Sequence, residues 1–278
     1  MPRNGREEKP VQRDRKVTTK SLRLMKERGE RIVALTSYDH LMGELLDQSG
    51  VDLILVGDSA AMAVQGRHTT VSVTMDQMLY HAELVSSSVE RALVVGDLPF
   101  MSYQVNADEA LRNAGRMVQE AHVEAVKLEG GAKICPTIQR IVDAGIPVMG
   151  HLGLTPQSIH RFGSYQVRAT DPEEADEVRR DALAVEQSGA FALVLEKVPA
   201  KLAAEISRTL TIPVIGIGAG GGCDGQILVS HDMLGLFTRF RPRFVRRYAE
   251  IAELMREAFT RYAKDVRTGD FPSEDESY

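Results

Sequence analysis

Cysteine is scarce, with only Cys135 and Cys223 in 278 residues. The two match neither a disulfide framework nor a zinc-ligand spacing, so a reducing cytoplasm is the expected compartment. No apolar run approaches the roughly 20 residues that a membrane-crossing helix needs. Positive charge is not in excess: the formal net charge is −5, which argues against a general nucleic-acid surface. The first segment, residues 1–16, is polar and charged and lacks the apolar centre of a secretion signal. It is expected to be a disordered arm.

What the chain has is a recurring short apolar run that ends in a polar group. Asp52-Leu53-Ile54-Leu55-Val56-Gly57-Asp58-Ser59 is the first clear example. Runs this short, followed by turn residues, read as buried parallel strands. Ala92 to Asp97, Ala125 to Glu129 and Ala192 to Glu196 also end in acids, and Ile146 to His151 ends in histidine. A single strand-end acid could be a helix cap. Four acids and a histidine in register point instead to one rim, which in parallel α/β folds is where ligands bind.

Between these runs lie helical stretches with start and stop signals. Asp39 precedes Leu41–Gln48, Thr74 can cap a helix to Ser88, Asn106 one to His122, and Pro172 opens one to Ser188. Further strands are expected at 31–36 and 212–217, with a weaker eighth at 226–229. Lys20–Arg28 reads as a short basic helix placed to cap the bottom of a barrel. Ala60–Ser72 and Leu152–Thr170 read as long loops, a common home of function. Phe244, Tyr248, Ile251 and Met255 follow helical spacing and predict one long final helix. Eight strands alternating with helices, without a composition break, predict an α/β fold of the (β/α)8 TIM-barrel type. The expected division is an arm over 1–16, a barrel with a C-terminal helix over 17–268, and an acidic tail over 269–278. An open doubly wound sheet is the alternative, but its single crevice would not gather so many strand ends.

Asp58, Asp97 and Glu129 are candidate ligands of a hard cation, Mg2+ first, because three carboxylates without cysteine suit oxygen-preferring ions. As strand-end acids they also fit helix caps. Lys127 and Glu129 are two apart in a strand and so share a face. Lys127 could hold a substrate carboxylate, form a Schiff base, or be a surface lysine. Glu196 is a candidate general base, or the partner of Lys197 or a loop arginine in an ion pair. His151 could hydrogen-bond a substrate or a metal-bound water, or be structural. Gly216–Gly222 could hold an anion with backbone N–H groups or form a tight turn. It lacks a Walker lysine, so it is no nucleotide signature. Ser230-His231-Asp232 has the letters of a catalytic triad, but adjacent residues cannot fold onto one another as a triad requires. Gly57-Asp58-Ser59 lacks the late Asp-x-x-His of GDS-type hydrolases. The arginines from Arg239 to Arg247 are expected to form a solvated or intersubunit face.

From about Lys16 to Leu236 the chain resembles the ketopantoate hydroxymethyltransferase (3-methyl-2-oxobutanoate hydroxymethyltransferase) family. The residues that carry the resemblance are Thr36-Ser37-Tyr38-Asp39, Leu55 to Ser59, Asp97-Leu98-Pro99-Phe100-Met101, Val126 to Gly131, Gly150 to Gln157, Ile212 to Gly220 and Asp224 to Val229. The resemblance implies a barrel of the phosphoenolpyruvate/pyruvate superfamily type. It implies transfer of a hydroxymethyl group from 5,10-methylenetetrahydrofolate to 3-methyl-2-oxobutanoate, giving 2-dehydropantoate and tetrahydrofolate for pantothenate synthesis. It makes Asp58 and Asp97 ligands of Mg2+, with Glu129 bound directly or through water. It gives the keto acid to Ser59, Lys127 and the backbone at Asp58, and proton acceptance to Glu196. It implies a cytoplasmic homodecamer of two stacked pentamers. The chain departs from the family at Phe162-Gly163-Ser164-Tyr165 through Thr170, where members often read Phe-Gly-Gly-Tyr followed by a Gln-Gly-Arg-like block. That departure bears on loop packing and folate-side contacts. A related metal-dependent C–C lyase would carry a Lys-Lys-Cys-Gly-His-type loop, which is absent. A keto-acid-binding barrel without catalysis would be expected to have lost one of the acids, and none is missing.

Overall fold

The computed structural model describes residues 15–278. The expected arm therefore lies outside the described residues except for its last two. Of these, Lys16 is anchored: its ammonium donates to the Ala92 carbonyl at 2.8 Å and pairs with Glu124 at 2.9 Å.

Eight short strands form the frame: β1 Ile32–Thr36, β2 Leu53–Val56, β3 Leu93–Asp97, β4 Ala125–Glu129, β5 Val148–Gly153, β6 Ala192–Glu196, β7 Val214–Ile217 and β8 Gly225–Leu228. They close into one barrel in sequence order, and each consecutive pair from β1 to β8 is parallel. Strands β2 to β5 are buried along almost their whole length. That is why they read as continuous apolar runs rather than as an alternation.

Alternate residues divide between two cores. One parity (Ile54, Val56, Val94, Val126, Leu128, Leu193, Leu195) packs outward with helix residues such as Met78, Met117, Ile138 and Val185. The other (Ile32, Ala34, Leu53, Leu55, Leu93, Val95, Ala125, Met149, Ala192, Val194, Ile215) fills the lumen together with Leu22. Leu22 lies on the helix Thr19–Glu27 and is wholly buried against the lumen group. Lys26 of that helix donates to Ser207 O and Ile212 O and pairs with Asp224, pinning the helix where the sequence reading expected a cap.

The helices start on the expected signals. Thr74 closes a capping box with Gln77, Asn106 accepts from Glu109 N, and Asp171 accepts from Glu174 N ahead of Pro172. The two expected loops are partly helical. Ala60–Ala63 is a short helix inside the first, and Pro156–Ser158 with Ile159–Phe162 forms two short turns inside the second. Runs of one or two turns are too short to leave a periodic signal in the sequence.

The chain divides into two compact units, one ending at Ile227 and one from Leu228 to Tyr278. In the second, the long helix spans Ile251–Thr268, later than the expected start near Phe244. Tyr248 N bonds Met233 O and Ile251 N bonds Leu234 O, so these backbone donors are committed elsewhere and the helix cannot begin earlier. Among the described residues no helix is long and apolar enough to cross a membrane.

Candidate active site

The lumen parity that is apolar low in the barrel becomes polar at the carboxyl ends of the strands. Leu93 and Val95 lead to Asp97. Ala125 leads to Lys127 and Glu129, Met149 to His151, and Ala192 and Val194 to Glu196. Register sets these groups side by side, with Asp97 opposite Lys127 and Glu129 opposite His151. Asp58, Asp97, Lys127, Glu129 and His151 are all at least nine-tenths buried, and the Glu196 side chain is 16% exposed.

Lys127 is the hub. Its Nζ lies 3.1 Å from Asp97 Oδ1, 3.7 Å from Glu129 Oε1 and 3.2 Å from His151 Nδ1. Burial works against the charged ammonium, but Asp97, Glu129 and Asp58 outweigh it and hold Lys127 above its ordinary range. His151 spans two acids: Nδ1 is 3.4 Å from Glu129 Oε1 and Nε2 is 3.4 Å from Glu196 Oε2. Burial and Lys127 disfavour the imidazolium, yet the Glu129 and Glu196 carboxylates on either side prevail and raise His151 to about 9. Among the described residues Glu196 makes no ion pair with Lys197, whose ammonium donates to Tyr165 O instead.

The acids differ in how they are satisfied. Burial, then the Asp97 and Glu129 charges, raise Asp58 to about 8. Asp97 is also raised, by burial first, although Lys127 and the Asp58 N–H oppose this. Glu129 is lowered: burial pushes it up, but the hydrogen bond to His151 and the Lys127 charge prevail. The Asp58 N–H, which the resemblance gave to substrate, donates to Asp97 Oδ2 at 2.9 Å. Asp97 Oδ1 is buried and meets only the Lys127 ammonium, at 3.1 Å.

Gly57 lets β2 turn into this site. A Cβ there would lie 2.7 Å from Ser59 Oγ. Ser59 makes no cap for its short helix, and its hydroxyl meets Tyr38 OH at 2.8 Å. The glycine-rich segment after β7 reads as a turn in the structure. Gly220 has a φ of +78°, and a Cβ there would meet Ala200, so the loop lies close on the helix Ala200–Thr209.

Asp58, Ser59, Asp97, Lys127, Glu129, His151 and Glu196 were all singled out in the sequence, and the barrel gathers the five from β3 to β6 in one linked group. Two participants were not. Tyr103 gives its one hydroxyl proton to Gln157 Oε1 at 2.7 Å and accepts from Glu129 N at 3.1 Å. Gln157 reaches Asp58 from the far loop at 2.9 Å. Gln157 stands in the quoted motif Gly150–Gln157, but nothing in its spacing marks where its side chain goes. No group of three or more His, Cys, Asp or Glu side chains is arranged to hold a metal ion by itself among the described residues. Lys127 stands in contact with two of the three acids expected to do so.

The ketopantoate hydroxymethyltransferase family model matches residues 16–274. Among curated relatives, the 3-methyl-2-oxobutanoate hydroxymethyltransferase of Prosthecochloris aestuarii is 58% identical, covering 94% of this chain and 96% of that one. The enzyme of the same name from Salinibacter ruber is 58% identical over 95% of this chain and 99% of its own. Among solved structures, 2,3-dimethylmalate lyase, a member of the PEP mutase/isocitrate lyase superfamily, superposes with a TM-score of 0.62 at 18% identity, covering 94% and 92% of the two chains. Phosphonopyruvate hydrolase gives 0.62 at 13% identity, covering 94% and 91%. These two likenesses speak for the barrel alone. The identity along nearly the whole length, together with the family match, decides the assignment: this chain belongs to the ketopantoate hydroxymethyltransferase family.

Proposed function

We propose that the enzyme transfers a hydroxymethyl group from 5,10-methylenetetrahydrofolate to 3-methyl-2-oxobutanoate, yielding 2-dehydropantoate and tetrahydrofolate. The observation that carries this reading is the linked group Asp97–Lys127–Glu129–His151–Glu196 at one end of the lumen, with Asp58 against Asp97. A reaction of this kind needs a fixed cation for a carboxylate, a base for the carbon acid and a means of stabilising negative charge on the keto oxygen.

The donor set suits Mg2+. Asp58, Asp97, Glu129 and Glu196 bring four acids against one lysine and one histidine, an excess of two negative charges when all six are ionised. Mg2+ is commonly held by one or two carboxylates plus substrate oxygens, so a complete protein cage is not required. Asp58 and Asp97 would hold it, with Glu129 reached directly or through water. Asp97 Oδ1, buried and met only by the Lys127 ammonium, is the atom that fits this role. When bound, the ion would act as a Lewis acid toward the keto oxygen.

The chain's own groups do the rest. Lys127 fixes the substrate carboxylate, with Ser59 beside Asp58 completing the pocket. Glu196 accepts the C3 proton, and His151 holds the Glu196 carboxylate in place and stabilises its charge. The carbanion equivalent at C3 then bonds to the methylene carbon of the folate; both C–N bonds of that carbon break, one water supplies the hydroxyl oxygen, and the C3 proton and a water proton end on the two folate nitrogens. Lys127 is a poor Schiff-base nucleophile, because its ammonium is kept protonated by Asp97 and Glu129.

Apolar side chains exposed on the helix Ile251–Thr268 (Leu254, Met255, Phe259, Tyr262) support association of copies, which the resemblance puts at a decamer. The free Cys135 and Cys223 agree with a cytoplasmic setting.

The test is proton exchange at C3 of 3-methyl-2-oxobutanoate in D2O, followed by NMR without folate, first with Mg2+ and then with EDTA. Exchange that requires the metal supports the reading. If neither condition gives exchange, folate donor is added and ketopantoate is sought. Its absence as well would overturn the proposed activity.

A further inference from the structure

We propose that Gln157 is a positioning residue for the acidic site: it aims the Asp58 and Glu129 carboxylates and so sets metal and keto-acid affinity. The inference rests on the reading above, in which Asp58 and Asp97 hold the ion.

Every polar atom of Gln157 in play has a partner. Its backbone N–H donates to Glu129 Oε2 at 3.0 Å. Its side-chain Nε2 donates to Asp58 Oδ2 at 2.9 Å and to Leu98 O at 3.0 Å. Its Oε1 accepts from Tyr103 OH at 2.7 Å and from Gln104 Nε2 at 3.1 Å. The residue is only 5% exposed. Gln104 Nε2 needs an acceptor and the Leu98 carbonyl needs a donor, so the amide cannot turn over. Its NH2 must face Asp58 and the Leu98 carbonyl.

This one residue, carried on the loop after β5, therefore touches the ends of three other strands. It occupies Oδ2 of Asp58, just as the Asp58 N–H occupies Oδ2 of Asp97. That leaves Asp58 Oδ1 for a metal ion, while Asp97 Oδ1 faces the Lys127 ammonium at 3.1 Å. It also takes Oε2 of Glu129, leaving Oε1 to Lys127 and His151. Outer partners of this sort orient ligands and tune affinity. A glutamate at 157 would place a further charge against Asp58. An apolar side chain would deprive Asp58 Oδ2, Gln104 Nε2 and Leu98 O of this hydrogen bond.

The experiment titrates Mn2+ into the full-length protein in the presence of 3-methyl-2-oxobutanoate and reads free Mn2+ by EPR. Gln157→Met, near-isosteric and without donors, is expected to raise the Mn2+ Kd about ten- to a hundredfold and to raise the keto-acid KM. Glu196→Gln should leave the Mn2+ Kd unchanged while losing turnover. If the wild-type protein takes up no Mn2+, the metal reading itself fails. If wild type binds and Gln157→Met binds equally well, the metal reading stands and the positioning role of Gln157 is overturned. Circular dichroism and the melting temperature establish that the variant is folded. Should it not fold, Gln104→Leu decides. It keeps Gln157 and touches none of the acids, but it removes a donor that fixes the Gln157 amide. A threefold or greater rise in the Mn2+ Kd supports the proposal, and no change overturns it.

Discussion

The Nε2 of His151 stands 3.4 Å from Oε2 of Glu196, so the strand-end histidine of β5 is ion-paired to the strand-end acid of β6. With Nδ1 turned to Glu129 on the other side, the imidazole joins the carboxylate proposed as base to the group around Lys127. This relationship separates the two halves of the proposed chemistry and makes each open to test.

Glu196→Gln keeps the shape of the side chain and removes the base. Loss of a positioned general base costs about 10²–10⁴ in rate. The variant should bind keto acid with nearly unchanged affinity while C3 exchange and turnover fall by that factor. Near-normal exchange would assign proton removal to another group.

Asp97→Asn removes a charge and alters the oxygen that faces Lys127. Metal affinity, measured by calorimetry with keto acid present, is expected to fall at least tenfold. Unchanged affinity would place the ion elsewhere.

Lys127→Met leaves Asp97 and Glu129 without their shared cation. Removing one member of a buried ion pair costs about 3–5 kcal/mol, so the melting temperature should drop clearly and the keto-acid KM should rise. In the wild-type protein, borohydride added with keto acid should leave Lys127 unmodified. A reduced adduct at Lys127 would instead establish an imine mechanism.

Asp47 supplies a pH-dependent element far from the chemistry. Its carboxylate accepts from Glu90 N, Arg91 N and Ala92 N at 2.7–3.2 Å. Partial burial pushes it up, but these three donors hold it below its usual value. Because the folded value lies below the unfolded one, its contribution is complete above the unfolded carboxylate range and is lost as pH falls through the folded value. Asp47→Asn, which turns an NH2 toward N–H donors, should cost about 1 kcal/mol at neutral pH. In a chain of this size that is about 2–4 °C in Tm. The loss should shrink as pH is lowered below 4. A deficit independent of pH would attribute it to packing.

How much of this was legible in the chain depends on the distance over which a signal acts. Strand positions, their polar ends and most caps are local, and they were readable because a doubly buried strand must be apolar until it reaches the rim. The two-residue spacing of Lys127 and Glu129 placed both on one face, and the lumen holds them there. Helical turns inside the long loops were not readable, because Ala60–Ala63 and Ile159–Phe162 are too short to show a period. The start of the last helix was misplaced because Tyr248 and Ile251 spend their N–H groups on Met233 and Leu234. Spacing alone cannot reveal that.

The sequence by itself determined the alternation of eight strands and helices, the acids and histidine at the strand ends, and the family. Tertiary structure alone decided which of those groups meet. Barrel closure brings Lys127 to Asp97 and His151 to both Glu129 and Glu196, and it folds Gln157 across 99 residues of chain onto Asp58. The physical reason is that burial pattern is a local property of each strand, whereas register between strands and the path of a returning loop are set only when the sheet closes on itself.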